Sequence, residues 1–251
     1  MPPLGLHMGI AKEIAAAIPS FCLVQDDLGS YYLGSTAPDI RVITRWERDA
    51  THFFDLSCFE EQDSVAAFFQ AHPELRKQER LSKATLAFVS GYVTHLVLDE
   101  TWISDIYRPY FGERSPMGGD ARANVLDRVL QFELDRQTRA DREEMEQIRG
   151  SLERAVHDVE VGFLDRETLS RWREVNLDVA AAPPNWERFR NVASRHLGAA
   201  GIVTEEALDE FMQNIDGLLQ ETKQHVSEER LEAFLYKSRL RAIALLKEYL
   251  L

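Results

Sequence analysis

The sequence predicts an all-α protein, a multi-helix bundle of 251 residues. Apolar residues recur at helical spacing through most of the chain. Pro and Gly clusters stand as stops, while Thr204 and Ser227 stand before paired acids as helix starts. The alternating runs of β-branched and aromatic residues that mark strands are sparse.

Taken in order, residues 7–18 (HMGIAKEIAAAI) form an Ala/Ile-rich helix with Pro19 as its stop. A second helical stretch covers 22–33 and ends in the turn LGSTAPDI, where Pro38 drives its neighbours out of helix. Residues 41–58, with ATHFFDL inside, read as a loop or a short helical turn. A helix over 60–71 is closed by Pro73, and the longest apolar-periodic helix, 75–106, closes before Pro109. The Gly/Pro-rich stretch PYFGERSPMGGD then divides the chain into a core, 1–110, and a C-terminal helical region, 111–251, packed on it in one globular domain. Residues 120–147 carry Val125, Leu126, Val129, Leu130, Phe132 and Leu134 on an amphipathic helix. Helices over 150–164 and 166–179 follow, interrupted by APPN. Two late helices start at Thr204 and Ser227, with Glu205, Glu206, Glu228 and Glu229 in first turns where the helix dipole favours acids.

Composition narrows the function. With 45% hydrophobic and 28% charged residues the chain reads as globular. The 42 acidic and 29 basic residues, net charge -13, argue against wrapping nucleic acid, which needs a basic face, and against docking on anionic membranes. The two cysteines, Cys22 and Cys58, form no C-x-x-C pair, so a thiolate metal site is not expected; a disulfide is neither demanded nor excluded. No uncharged run approaches the roughly 18 residues of a membrane span. The opening MPPLGLHMGIAKEIAAAIPS lacks a basic leader region, and the expected location is the cytoplasm. There is no Gly-rich phosphate loop, nucleophile elbow or Cys/His nucleophile arrangement.

One feature interrupts this pattern. In FVSGYVTHLVLDETW an apolar helix carries His95 and Asp99 one turn apart. With 7 histidines and 42 acids in the chain, about one such pair arises by accident, and His225/Glu229, at a polar helix start, reads as that accident. His95/Asp99 differs in its apolar surroundings, where an isolated carboxylate charge costs several kcal/mol, of order 2–7 even for a neutral polar group, unless it meets a partner or a cation. A hydrogen-bonded core pair is one reading. Half of a metal site is the other, with His7 at the start of the first helix, Asp39 in the Pro38 turn and His52 among aromatics as the remaining candidates. Three imidazoles and two carboxylates suit zinc or another first-row divalent ion. Arg41 and Arg45 are candidates to meet a phosphate. Trp102 reads as a core aromatic.

His7, GSTAPDI with Asp39, THFFDL with His52, and GYVTHLVLDETW with His95 and Asp99, in that order, resemble the zinc-dependent phospholipase C family, relatives of P1-type nucleases, over residues 4 to 110. The resemblance implies an all-α bundle with a metal cleft between helices. It implies that Asp39, His52, His95 and Asp99 hold one zinc and that Asp99 bridges to a second held also by His7. It further implies a phosphoester or phospholipid substrate, cleaved by a metal-activated water that Asp39 orients or deprotonates. The later His-x-x-x-Glu pair of those enzymes has no equivalent in an apolar setting here. Asp105 and Glu133 are the acids that would have to replace it, and a reduced site of one or two ions is expected. Two other readings stand beside this one: a non-catalytic helical binding or scaffold protein with a structural metal, and a di-metal helical-bundle enzyme. The second wants Glu-x-x-His pairs, and the chain has none.

Overall fold

The computed structural model describes residues 2–18, 27–155 and 158–250, the side chain of Val192 excepted. Among them helices build the fold and no strand is present. Pro19, Cys22 and the first residues of the helix expected over 22–33 lie outside the described residues, as does His157.

Helix α1 spans Leu4–Ala17. Helix α2, Leu28–Gly34, starts where the Asp27 side chain accepts from Ser30 N at 3.0 Å. A 3-10 turn, Ala37–Ile40, follows with Pro38 in its first turn. The segment read as loop or short turn holds two single helical turns, α3 (Arg41–Thr44) and α4 (Asp49–His52). Helix α5, Ser64–Ala71, starts later than expected because Asp63 caps it through Ala66 N.

The long helix differs from expectation at both ends. It runs as α6 over Lys83–Trp102, because Ser82 takes Thr85 N on its side chain and sets the start there. Residues 73–80 form two 3-10 turns instead. Pro109 does not close it: the chain winds on as a π-helix over Ile103–Phe111, and Gly112 N reaches back five residues to Tyr107 O at 2.7 Å. That wider turn accommodates a residue with no N–H to give.

The helix expected over 120–147 is two, α7 (Ala121–Ala140) and α8 (Arg142–Glu153), divided at Asp141, whose side chain caps α8 through Glu144 N. The helix expected over 150–164 is absent beyond Glu153 among the described residues. Backbone groups there bond to the start of α6 instead, Glu160 N to Thr85 Oγ1 and Asp158 O from Ser82 Oγ. The remaining helices are α9 (Arg166–Ala181), α10 (Phe189–Ala199), α11 (Glu205–Gln213), α12 (Ile215–His225) and α13 (Glu228–Leu250). Thr204 caps α11 through Ala207 N. No helix among the described residues is long and apolar enough to cross a membrane.

Every residue of α6 from Ala84 to Trp102 is buried, so the helix is the axis around which the others pack. α2 and α13 lie against it, α1 packs on α7, and α12 and α10 also lean on α7. One apolar cluster runs from Leu6 to Leu246. Trp102 belongs to it, as the sequence suggested: its Nε1 donates to Asp127 Oδ1 at 3.0 Å and its ring meets Phe234 edge-on.

Two glycines bring α2 and α6 into backbone contact. A Cβ on Gly91 would lie 2.0 Å from Tyr31 O, and one on Gly34 would lie 2.0 Å from Phe88 O. Gly91→Ala is therefore expected to destabilise the fold by about 1–3 kcal/mol through overpacking. Gly198→Ala, at an exposed position of α10 with open space around its Cβ, should stabilise by about 0.5–1 kcal/mol. Denaturant unfolding of both variants checks this; a neutral Gly91→Ala would contradict it.

Candidate metal centre

The five candidate residues come from four separate pieces of chain and meet beside the middle of α6. His7 lies in the first turn and a half of α1, whose N-terminus has no side-chain cap of its own. The cap comes from α7: Asp135 Oδ1 accepts from Leu6 N at 3.0 Å. Arg139 Nε holds the other oxygen of Asp135 at 2.7 Å, and Arg139 Nη1 donates to Pro183 O at 2.7 Å. The buried pair needs Gly5, since a Cβ there would stand 2.5 Å from Asp135 Oδ1. Gly5 and the Asp135 cap thus set how His7 enters the cleft.

His95 is oriented by the α2–α6 contact. Its Nδ1 stands 2.9 Å from Ser35 O. A carbonyl only accepts, so Nδ1 carries the hydrogen and the neutral ring presents a bare Nε2. The same logic applies to His52. Thr51 Oγ1 donates its one hydrogen to Arg48 O at 3.1 Å, so it accepts from His52 Nδ1 at 2.8 Å, and His52 Nε2 is left bare. Tyr92 OH in turn donates to Thr51 O and fixes the turn to α6. Phe53, in the left-handed region with φ 53°, ends α4 just after His52.

These nitrogens face carboxylates. Asp99 Oδ1 is 3.4 Å from His7 Nε2, and Asp99 Oδ2 is 3.2 Å from His52 Nε2 and 3.4 Å from His95 Nε2. Asp39 Oδ1 is 3.5 Å from His52 Nε2. None of these approaches is aligned as a hydrogen bond: the three Nε2 atoms and both oxygens of Asp99 are buried without a hydrogen-bond partner. Lone pairs of neutral imidazoles facing lone pairs of a carboxylate repel, and burial without partners costs more still. One or two cations among them would give these atoms their missing partners. The ligand atoms of His7, His95 and Asp99 lie within 4.8 Å of one another, as do those of Asp39, His52 and His95. This donor set of imidazole nitrogen and carboxylate oxygen fits zinc.

The electrostatics agree. The rings of His7 and His95 stack at 3.7 Å and 7°, and burial together with His95 pushes His7 down to a pKa of about 4. Burial alone would raise Asp99 and Asp39, but positive charge on the imidazoles around them, the part a bound cation would take, holds both well below the usual carboxylate range. Burial would lower His52, yet Asp39 and Asp99 raise it.

Other candidates lie elsewhere. Asp105 pairs with Lys237 at 2.7 Å, and Glu133 pairs with Arg136 at 2.7 Å, so neither extends the cluster. His225 and Glu229 are exposed, as the polar setting implied. Arg41 donates Nε to Trp46 O at 3.3 Å, and Arg45 is an exposed left-handed residue. The arginine at the cleft is Arg48, with Nη2 3.7 Å from Asp99 Oδ2. Its signal in the sequence is its place one turn before His52, which sets the two on one face of α4.

The model of a family described as zinc dependent phospholipase C matches residues 6–102. That stretch contains all five residues of the cluster and Arg48. No curated protein and no solved structure matches the chain.

The depressed pKa of His7 carries a pH signature. A histidine lowered from 6.5 to about 4 on folding stabilises the fold above pH 6.5, and this is lost as pH falls toward 4. Asp39 and Asp99 continue the loss at lower pH, while the raised His52 works the other way. In metal-free protein, His7→Gln should flatten the fall in unfolding free energy between pH 6.5 and 4 by up to about 1.4 kcal/mol per pH unit. Urea titrations across that range measure it, and an unchanged slope would contradict the environment assigned to His7.

Proposed function

We propose, from the match of residues 6–102 to the zinc-dependent phospholipase C family, that the chain is a metal-dependent hydrolase of phosphoesters, with a phospholipid or a related small phosphodiester as substrate. The observation that carries this reading is the convergence of three buried Nε2 atoms and both Asp99 oxygens that have no hydrogen-bond partner among protein groups. His7, His95 and Asp99 would hold one ion, and Asp39, His52 and His95 a second or the same one. One or two zinc ions are the expected load.

Bound zinc supplies Lewis-acid stabilisation of charge on phosphoryl oxygen and lowers the pKa of water. The chain's own residues do the rest. Asp39 is the cluster carboxylate closest to solvent, its side chain 19% exposed against 3% for Asp99. It is placed to orient an attacking water and take its proton as the water oxygen bonds to phosphorus and the ester P–O bond breaks. That proton then passes to the departing alcohol oxygen. Its low pKa keeps it ionised for this role. Ser35 O and the Thr51 hydroxyl keep the imidazoles in the tautomer that presents Nε2 inward. The opening at Asp39 weighs against a sealed structural metal site, in which the ligands close around the ion.

Protein purified without chelators should contain zinc and hydrolyse a bis-aryl phosphate or a short-chain phosphatidylcholine. His95→Ala should lower both metal content and turnover, the latter by a factor of roughly 100 or more if an oriented, charge-stabilised site is lost. Asp39→Asn should keep much of the metal but lose turnover. Metal stoichiometry near zero, or equal turnover by His95→Ala, would refute the reading.

A further inference from the structure

We infer that Arg48 is the fixed cation that receives the anionic phosphate oxygens of the substrate beside the metal ligands. The inference rests on the phosphoester reading above and concerns how that cleft binds its substrate.

Position is the first argument. The side chains of His7, His52, His95 and Asp99 are at most 3% exposed, whereas those of Arg48 and Asp39 are 14% and 19% exposed. These two therefore form the accessible edge of the cluster, and a molecule arriving from solvent meets a carboxylate and a guanidinium. Arg48 is held in place there, not swinging free. Its Nη1 donates to Phe54 O at 2.9 Å across the left-handed turn at Phe53, and its backbone carbonyl accepts from His52 N at 2.9 Å. Guanidinium and His52 ring are thus fixed relative to each other by one helical turn.

Charge is the second. With neutral imidazoles, Asp39 and Asp99 contribute two negative charges, which a single divalent ion already neutralises. Arg48 stands 3.7 Å from Asp99 and adds a further positive charge; Asp49 and Arg41, of opposite sign to each other, also act on it. One bound ion leaves the cleft with an excess of one positive charge, and two leave three. Excess charge of one sign in a largely buried cleft is costly until a counter-charge arrives. A phosphodiester or phosphate is that counter-charge, and the planar fork of arginine matches its oxygens better than an ammonium would. If Arg48 served only to balance Asp99, a metal-loaded cleft would have no use for it.

The test titrates inorganic phosphate calorimetrically into the zinc-loaded full-length protein and its Arg48→Gln and Arg48→Lys variants, with metal content determined for each. Arg48→Gln should keep the zinc content of the parent protein and bind phosphate roughly 10- to 100-fold more weakly, the scale of a lost hydrogen bond to a charged group. Arg48→Lys should fall between. With bis-aryl phosphate, KM should rise with kcat/KM falling in step. Arg171→Gln, an exposed control on α9, should behave like the parent. Unchanged phosphate affinity in Arg48→Gln would overturn the assignment while leaving the hydrolase reading intact. Zinc lost in parallel with phosphate affinity would also overturn it, making Arg48 a support for Asp99. Phosphate affinity of the Arg48 variants and zinc content of the parent protein are separate readouts, so the two proposals fail separately.

Discussion

Both oxygens of Asp99 sit in the middle of the protein and face three imidazole nitrogens without hydrogen-bond partners, two of them on rings whose Nδ1 is engaged elsewhere, by Ser35 O and by Thr51 Oγ1. Acceptor facing acceptor in a low-dielectric interior is an arrangement a protein does not keep unless a cation completes it. The rest of the structure is organised by that constraint. α6 is buried on all sides, so Asp99 and His95 cannot turn to water. The other proposed ligands, His7, Asp39 and His52, must be delivered to α6, and each arrives on a different element.

Those anchors are backbone and small-residue devices. Gly34 and Gly91 let α2 and α6 touch, which puts Ser35 O against His95 Nδ1. Gly5 lets Asp135 cap α1, which places His7. The Asp135/Arg139 pair is worth noting because burial raises Asp135 while Arg139 lowers it, and its role is positional more than stabilising. Thr51, held by Tyr92, orients His52. The proposed metal ligands and the residues that aim them are thus spread over α1, α2, α4, α6 and α7, and the C-terminal helices, which carry none of them, supply the packing under them.

Four of the five residues that converge around Asp99 stood out in the sequence because each breaks a local pattern: a histidine and an aspartate inside an apolar helix, an aspartate in a proline turn, a histidine among phenylalanines. The helical class was legible from periodicity. What the sequence concealed depends on tertiary partners. Arg48 looks like any surface arginine until Phe54 O pins it near Asp99. The division of α7 from α8 depends on Asp141 choosing to cap, and the loss of helix after Glu153 depends on Thr85 and Ser82 offering bonds across the fold. The π-helix through Pro109 defeats the rule that proline ends a helix, because the wider turn is stabilised by packing that no local signal encodes. Glu133 was a plausible ligand by type, but an arginine one turn away on its own helix claims it.

The central claim is that the cluster around Asp99 exists to hold a metal, and the most direct measurement is anomalous diffraction above and below the zinc absorption edge from crystals of the full-length protein grown with zinc. The account predicts an anomalous peak among the Nε2 atoms of His7, His52 and His95 and the oxygens of Asp99, with Asp39 reaching the same density or a neighbouring peak. Crystals that show no anomalous signal there, with the imidazoles rotated into ordinary hydrogen bonds to Asp99 and Asp39, would contradict it.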